Sequence, residues 1–227
     1  ALASALSAAP TLLRSGLGSL RLALPLALLA SASSIAGAFL GLAMPVAVVQ
    51  MLLGGLVLGI VVLMAVSKKS EFPEVAAPDR LSQALALHGV FLDGASGRVV
   101  NWQVHRTVPG LVLFLGIGVL AGMFGIGAGW ANVPALNLLM GAPVKLAAGS
   151  SGLVLSLVDS SAAWVYINEG AVLPMVAVPS VVGMMLGARI GARLLHVLHG
   201  AVVRRLVITV LLFAGLRALL KGMGVWP

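Results

Sequence analysis

Cysteine is absent from the 227 residues, which excludes disulfides, thiolate metal sites and thiol nucleophiles. Charge is scarce too. Asp, Glu, Lys and Arg make up 9% of the chain, against about 25% in a soluble domain, and only 6 residues are acids. With so few, no paired-acid or Ser–His arrangement falls within the apolar stretches, so an intramembrane enzyme is a weak reading. His196 and His199 lack the carboxylates or further histidines of a metal site, and the sequence points to no cofactor. Ten-residue segments of alternating hydrophobicity are also missing, which argues for helices and against a transmembrane barrel.

Apolar residues fill the space. The chain is 60% hydrophobic with a mean hydropathy of +1.13. A chain of this size cannot hide that much apolar surface from water, so its surroundings are a lipid bilayer. The net charge of +8 is then no nucleic-acid signal; basic residues in such a chain mark the cytoplasmic ends of its spans.

A span needs roughly 20 apolar residues. Candidate runs cover 1–13, 20–42, 45–66, 108–140 (with an interruption), 146–167, 171–195 and 201–220. Between 67 and 107 the chain turns polar, opening with Lys68, Lys69, Glu71, Pro73 and Glu74. Two β-prone runs there flank Asp93-Gly94 and read as a hairpin. The organisation expected is a first membrane repeat over 1–66, a polar cytoplasmic linker with a short hairpin over 67–107, and a second membrane repeat over 108–227.

The two halves repeat at an offset of 154. Ser7-Ala8-Ala9 falls on Ser161-Ala162-Ala163, Pro25 on Pro179, Gly37-Ala38 on Gly191-Ala192 and Val48-Val49 on Val202-Val203. The basic loops swap sides between the copies: Arg14 and Arg21 follow the first run, whereas Arg189, Arg193, Arg204 and Arg205 mark the opposite turn of the second copy. By the positive-inside rule the copies sit upside down relative to each other. The same offset carries Gly122 to position −32, upstream of Ala1, so the first copy of the segment around Gly122 is expected there, in a part of the first half not present here. The fold class expected is all-α: a polytopic transmembrane helical protein with two inverted repeats and glycine-broken helices, re-entrant or half-length.

That break is expected in "GMFGIGAGWANVP", residues 122–134. Irregular backbone at membrane depth is tolerated only where it is buried in protein or lines a wet cavity. Gly125, Gly127 and Gly129 permit a sharp break, and a helix restarting near Trp130 would aim free N–H groups at it, a seat for an anion. Close helix packing is the competing account, and it is the one preferred for Gly116, Gly118 and Gly122. Ser150 and Ser151, early in the next run, either donate to an oxyanion or bond back to their own helix. Asp159 is the one acid within an apolar run; it is a proton carrier, the partner of a base such as Arg189, or an interfacial group. Arg189 and Arg193 either guide anions at the inner mouth or snorkel from a helix end. Trp102, Trp130, Trp164, Tyr166 and Trp226 read as interfacial anchors, and His88 and His105 as solvated or packed.

Three stretches, "AGMFGIGAGWANVPALNLLMGAPVKLAAGSS", "GARIGARLL" and "LDGASGRVVNWQV", resemble the sulfite exporter TauE/SafE family. The resemblance covers 87–220 well and the first half more weakly. It implies duplicated halves, each opening with a glycine-rich motif, and movement of sulfite, sulfonates or related small anions across the bacterial inner membrane. By motif position it implies a substrate site around Gly125, Gly127, Gly129, Asn132, Pro134, Ser150 and Ser151. Ala128 interrupts the consecutive glycines usual in the family. The function expected is a secondary transporter, an exporter of a sulfur-containing anion, with the bilayer and that anion as its partners. Oligomeric state is open, a homodimer or a larger membrane complex included; the alternative is a non-transporting accessory subunit packed in such a complex.

Overall fold

A computed structural model describes residues 18–66, 78–93, 98–125, 127, 129–197 and 200–225. Its helices are α1 (Leu20–Ala43), α2 (Val46–Val66), α3 (Arg80–Ala84), α4 (Thr107–Phe124), α5 (Gly129–Pro134), α6 (Val144–Asn168), α7 (Pro174–Val197) and α8 (Gly200–Gly222); a π-helical turn, Ala135–Leu139, continues α5. Strands β1 (His88–Asp93) and β2 (Arg98–Gln103) pair antiparallel, with His88 opposite Gln103. The chain is mostly helical. Among the described residues Leu20–Ala43, Thr107–Phe124 and Leu146–Asn168 are long and apolar enough to cross a membrane, and Val46–Val62 and Pro174–Gly187 are shorter apolar stretches. The expected run at 1–13 lies outside the described residues.

Helix ends follow local chemistry. Pro45 cannot continue α1 and opens α2, its carbonyl accepting from Val48 and Val49 N–H at 3.0 and 3.2 Å. Gly170, at φ +65°, ends α6 in the left-handed conformation, and Ala171 N donates to the Tyr166 carbonyl at 3.0 Å. Shifted by 154, the bounds of α1 become those of α7, and the sixth residue of each is proline, Pro25 and Pro179.

Two compact units divide the chain: Ala1–Phe39 with Ser70–Val172, and Leu40–Lys69 with Leu173–Pro227. In the first, the core gathers Leu22, Leu26 and Ala30 of α1, Phe114, Ile117 and Ala121 of α4, Leu136 and Met140, and Leu146, Val154 and Val158 of α6. Small residues bring α1 and α4 backbone to backbone. A Cβ on Gly118 would overlap the Ala30 carbonyl, one on Gly122 the Ser34 carbonyl, and one on Gly37 the Val119 carbonyl. In lipid, where apolar burial does not drive helices together, such close packing is the main attraction between them. Gly116 has open space beside it, so the packing role expected of it falls to Gly118 and Gly122 alone.

The polar stretch belongs to this unit. Leu87, Trp102 and Val104 are buried in its core, so Trp102 is a core residue of the hairpin and not the interfacial anchor expected. Its indole lies over Gly89, where a Cβ would sit 3.1 Å from Cζ2. Asp79 caps two helices at once. Its Oδ1 accepts from Ser82 N at 3.2 Å and from Thr107 Oγ1 at 2.7 Å, and its Oδ2 accepts from Thr107 N at 2.9 Å, serving first-turn donors of both α3 and α4.

In the second unit α2 and α8 run antiparallel. Gly222 lies against Ala47 and Met51, Gly54 against Gly215 and Leu219, and Gly215 against Val57 and Leu58.

Candidate functional site

The helix α4 stops at Phe124 and α5 begins at Gly129. Between them Gly125 and Gly127 take φ of +63° and +74°, a region that costs a side-chain-bearing residue of order 1 kcal/mol or more. Every helix end leaves its last four carbonyls without intrahelical donors, and at membrane depth no water replaces them. Three of the four in α4 are satisfied. Gly125 N donates to the Ala121 carbonyl at 2.9 Å. The Tyr166 hydroxyl reaches the Gly122 carbonyl at 2.8 Å and the Met123 carbonyl at 3.0 Å, one proton shared between two acceptors. Tyr166, expected as an interfacial anchor, is thus tied to the end of α4.

After the break, α5 lies along α6. A Cβ on Gly127 would stand 2.8 Å from Leu155 Cδ1 and 3.3 Å from both carboxylate oxygens of Asp159, and one on Gly129 would be 3.7 Å from Leu155 Cδ2. Because the chain turns back through 140–143 into α6, the two segments are antiparallel, and Asn132 stands at the level of about residue 152, roughly 10 Å along the helix from Asp159. Asp159 shares the level of Gly127.

Two polar groups in this interface lack partners. Asn132 is fully buried, and neither Nδ2 nor Oδ1 has a hydrogen-bond partner. Asp159 is 7% exposed and its Oδ2 is unpartnered. Buried polar atoms are nearly always paired in native structures, so two orphans flanking one break single it out. Pro134 ends α5 and has no N–H to give the Trp130 carbonyl; the π turn begins at the next residue. Asn137, which no sequence feature picked out, braces that turn, Nδ2 donating to the Ala142 carbonyl at 2.8 Å.

The family model for the sulfite exporter TauE/SafE matches residues 1–218. The chain belongs to the TauE/SafE family. It is also 27% identical over 118 residues to the "Probable membrane transporter protein YunE" of Bacillus subtilis (strain 168), a match spanning 52% of this chain and 43% of that relative. No solved structure matches the chain.

The remaining candidate residues of this TauE/SafE chain are spread out. Ser150 Oγ accepts from Ser19 N at 3.1 Å, anchoring the start of α1, so its hydroxyl bonds neither to an open site nor back along its own helix in the described contacts. Ser151 is buried beside it. Ser34 Oγ donates to the Ser31 carbonyl at 2.8 Å and approaches the Val158 carbonyl at 3.3 Å, which ties α1 to α6 next to Asp159. The side chains of Arg189 and Arg193, and Ala128 altogether, lie outside the described residues. Among the described residues no cluster of three or more His, Asp or Glu could hold a metal.

Proposed function

We propose that this TauE/SafE chain is a secondary transporter that exports a small sulfur-containing anion, sulfite or an organosulfonate, across the bacterial inner membrane, and that the anion is held at the break between α4 and α5. The observation that carries the reading is Asn132: a carboxamide fully buried one turn past a glycine-broken helix, with both ends unpaired. Family membership and the name of the Bacillus subtilis relative support transport. Two inverted repeats are supported by the common bounds of α1 and α7 at the 154 offset and by the antiparallel course of α2 and its repeat mate α8. Rocking of one repeat against the other around a fixed midplane site would then expose the anion to either side. In this reading Gly125, Gly127 and Gly129 keep the backbone bare at the site, Pro134 and Ser151 shape it, and Arg189 and Arg193 draw anions to its inner mouth. Asp159 carries the coupled proton: a proton on its unpaired oxygen removes a charge that is costly at this depth.

The test is anion flux in proteoliposomes, with sulfite, sulfate, thiosulfate and sulfoacetate as substrates. Gly127→Leu places a side chain on Leu155 and Asp159 and forces a residue into left-handed backbone, so flux should fall by at least about tenfold. No flux of any of these anions, or flux indifferent to Gly127→Leu, overturns the reading.

A further inference from the structure

We infer that the species carried is a monoanion that keeps one O–H, a singly protonated oxyanion such as hydrogen sulfite, and not the bare dianion. The inference rests on the transport reading above and narrows it, to sulfite over the organosulfonates and to the protonation state in which sulfite is held.

The argument is an inventory of hydrogen-bonding atoms. A carboxamide presents a donor group and an acceptor side by side. In Asn132 both are buried and both are unpaired, so which end is nitrogen does not alter the count. Its neighbours in sequence supply little: Gly129, Ala131 and Ala135 have no polar side-chain atoms, and Pro134 has no N–H. On α6, the Ser150 oxygen is already engaged by Ser19 N. About 10 Å along the helix from the level of Asn132, the next unpaired atom, Asp159 Oδ2, is another oxygen. The unpaired side-chain atoms of this interface are therefore the two ends of the Asn132 carboxamide and, further off, Asp159 Oδ2; the Ser150 hydroxyl, accepting from Ser19 N, keeps its own hydrogen, but the Asn132 oxygen still lacks a donor.

A dianion with unprotonated oxygens fits that set badly. It can accept from Asn132 Nδ2, but it turns a second negative oxygen toward Oδ1. An anion whose central atom carries both an O–H and an unprotonated oxygen fits it well. The two adjacent oxygens form a parallel pair of hydrogen bonds with the carboxamide, one in each direction, and the unit charge lowers the cost of leaving water. A polar site penalises the isostere that leaves its buried group unpaired far more than an apolar site penalises an extra atom.

Methylphosphonate and methanesulfonate separate the donor from the charge. In mildly acidic buffer both are monoanions of the same shape, and the phosphonate alone keeps an O–H. In proteoliposomes of the full chain, hydrogen methylphosphonate should compete with labelled sulfite at a concentration about ten- to a hundredfold lower than methanesulfonate does. Asn132→Leu should bring that ratio close to one, with Asn132→Ser as the smaller replacement if the leucine variant does not insert; the wild-type ratio decides even if neither does. Sulfite flux with equal competition by the two analogues, or stronger competition by methanesulfonate, overturns the inference and leaves the transport reading standing. No flux of any anion overturns both.

Discussion

Replacing Tyr166 with phenylalanine removes one oxygen and leaves the ring in place. In the native chain that hydroxyl is the described donor for two carbonyls, Gly122 at 2.8 Å and Met123 at 3.0 Å, at the end of a helix with no continuation. The ring touches the same place independently, a Cβ on Gly125 falling 4.0 Å from Cε2. The site is half-buried and one proton serves two acceptors, so the loss should fall near the low end of the penalty for an unpaired buried group, about 1–2 kcal/mol. For a chain of this size each kcal/mol moves Tm by about 2–4 °C, which gives an expected drop of about 2–8 °C. Thermal unfolding of purified Tyr166→Phe in detergent, followed by tryptophan fluorescence, measures it. Tyr166→Ala should fall further, because it also loses the ring contact. If Tyr166→Phe melts with the wild-type chain, the hydroxyl is not closing α4 and the carbonyl account given for this break is wrong.

Gly122→Val should cost about 3 kcal/mol or more, since the facing atom is a main-chain carbonyl of α1 that cannot swing away. Gly116→Val, facing open space, should leave folded yield in detergent nearly unchanged, and equal losses in the two would refute the α1–α4 crossing. Asp79 yields a pH prediction. Burial raises its carboxyl, but hydrogen bonds from the Thr107 and Ser82 side chains and from their amides outweigh this and hold it below the ordinary 3.8. A lowered folded value means that its contribution is fully present above 3.8 and is lost as the pH falls through the folded value. Asp79→Ala should therefore destabilise the chain by about 0.5–1 kcal/mol near neutral pH, a solvent-screened cap. The gap to wild type should vanish in acid; a gap that persists there would show that the charge plays no part.

Much of the fold was legible in hydropathy alone. The apolar runs at 20–42 and 45–66 became α1 and α2 with ends shifted by only a residue or so, because Pro45 punctuates them chemically. Asp93-Gly94 marked the hairpin for the same local reason. Other features depend on groups far apart in the chain and leave no linear trace. Tyr166 and Trp102 look like interfacial aromatics by composition; a hydroxyl 44 residues from its acceptor and an indole over a glycine give each a different place. The helix α3 went unread because five residues show no period, and it exists through the cap from Asp79. At the candidate site, left-handed φ at Gly125 and Gly127 falls on glycines because that backbone region has a strong residue preference. That Asn132 is left unpaired there, and that Ser150 is tied to Ser19, are facts of partner geometry that no spacing rule contains.

The facing pair α2 and α8 carries a mechanical consequence. Gly54 seats one main chain directly on the other, Gly222 lies on the main chain of Ala47 and Met51 and on the Met51 side chain, and at Gly215 the side chains of Val57 and Leu58 fill the gap. Shear by one helical turn would bring bulkier residues onto the places these glycines now fill, so sliding is costly and joint displacement is cheap. During any working cycle these two rods should travel as a single lever, and a pair of spin labels placed across them should report an unvarying separation while labels elsewhere change.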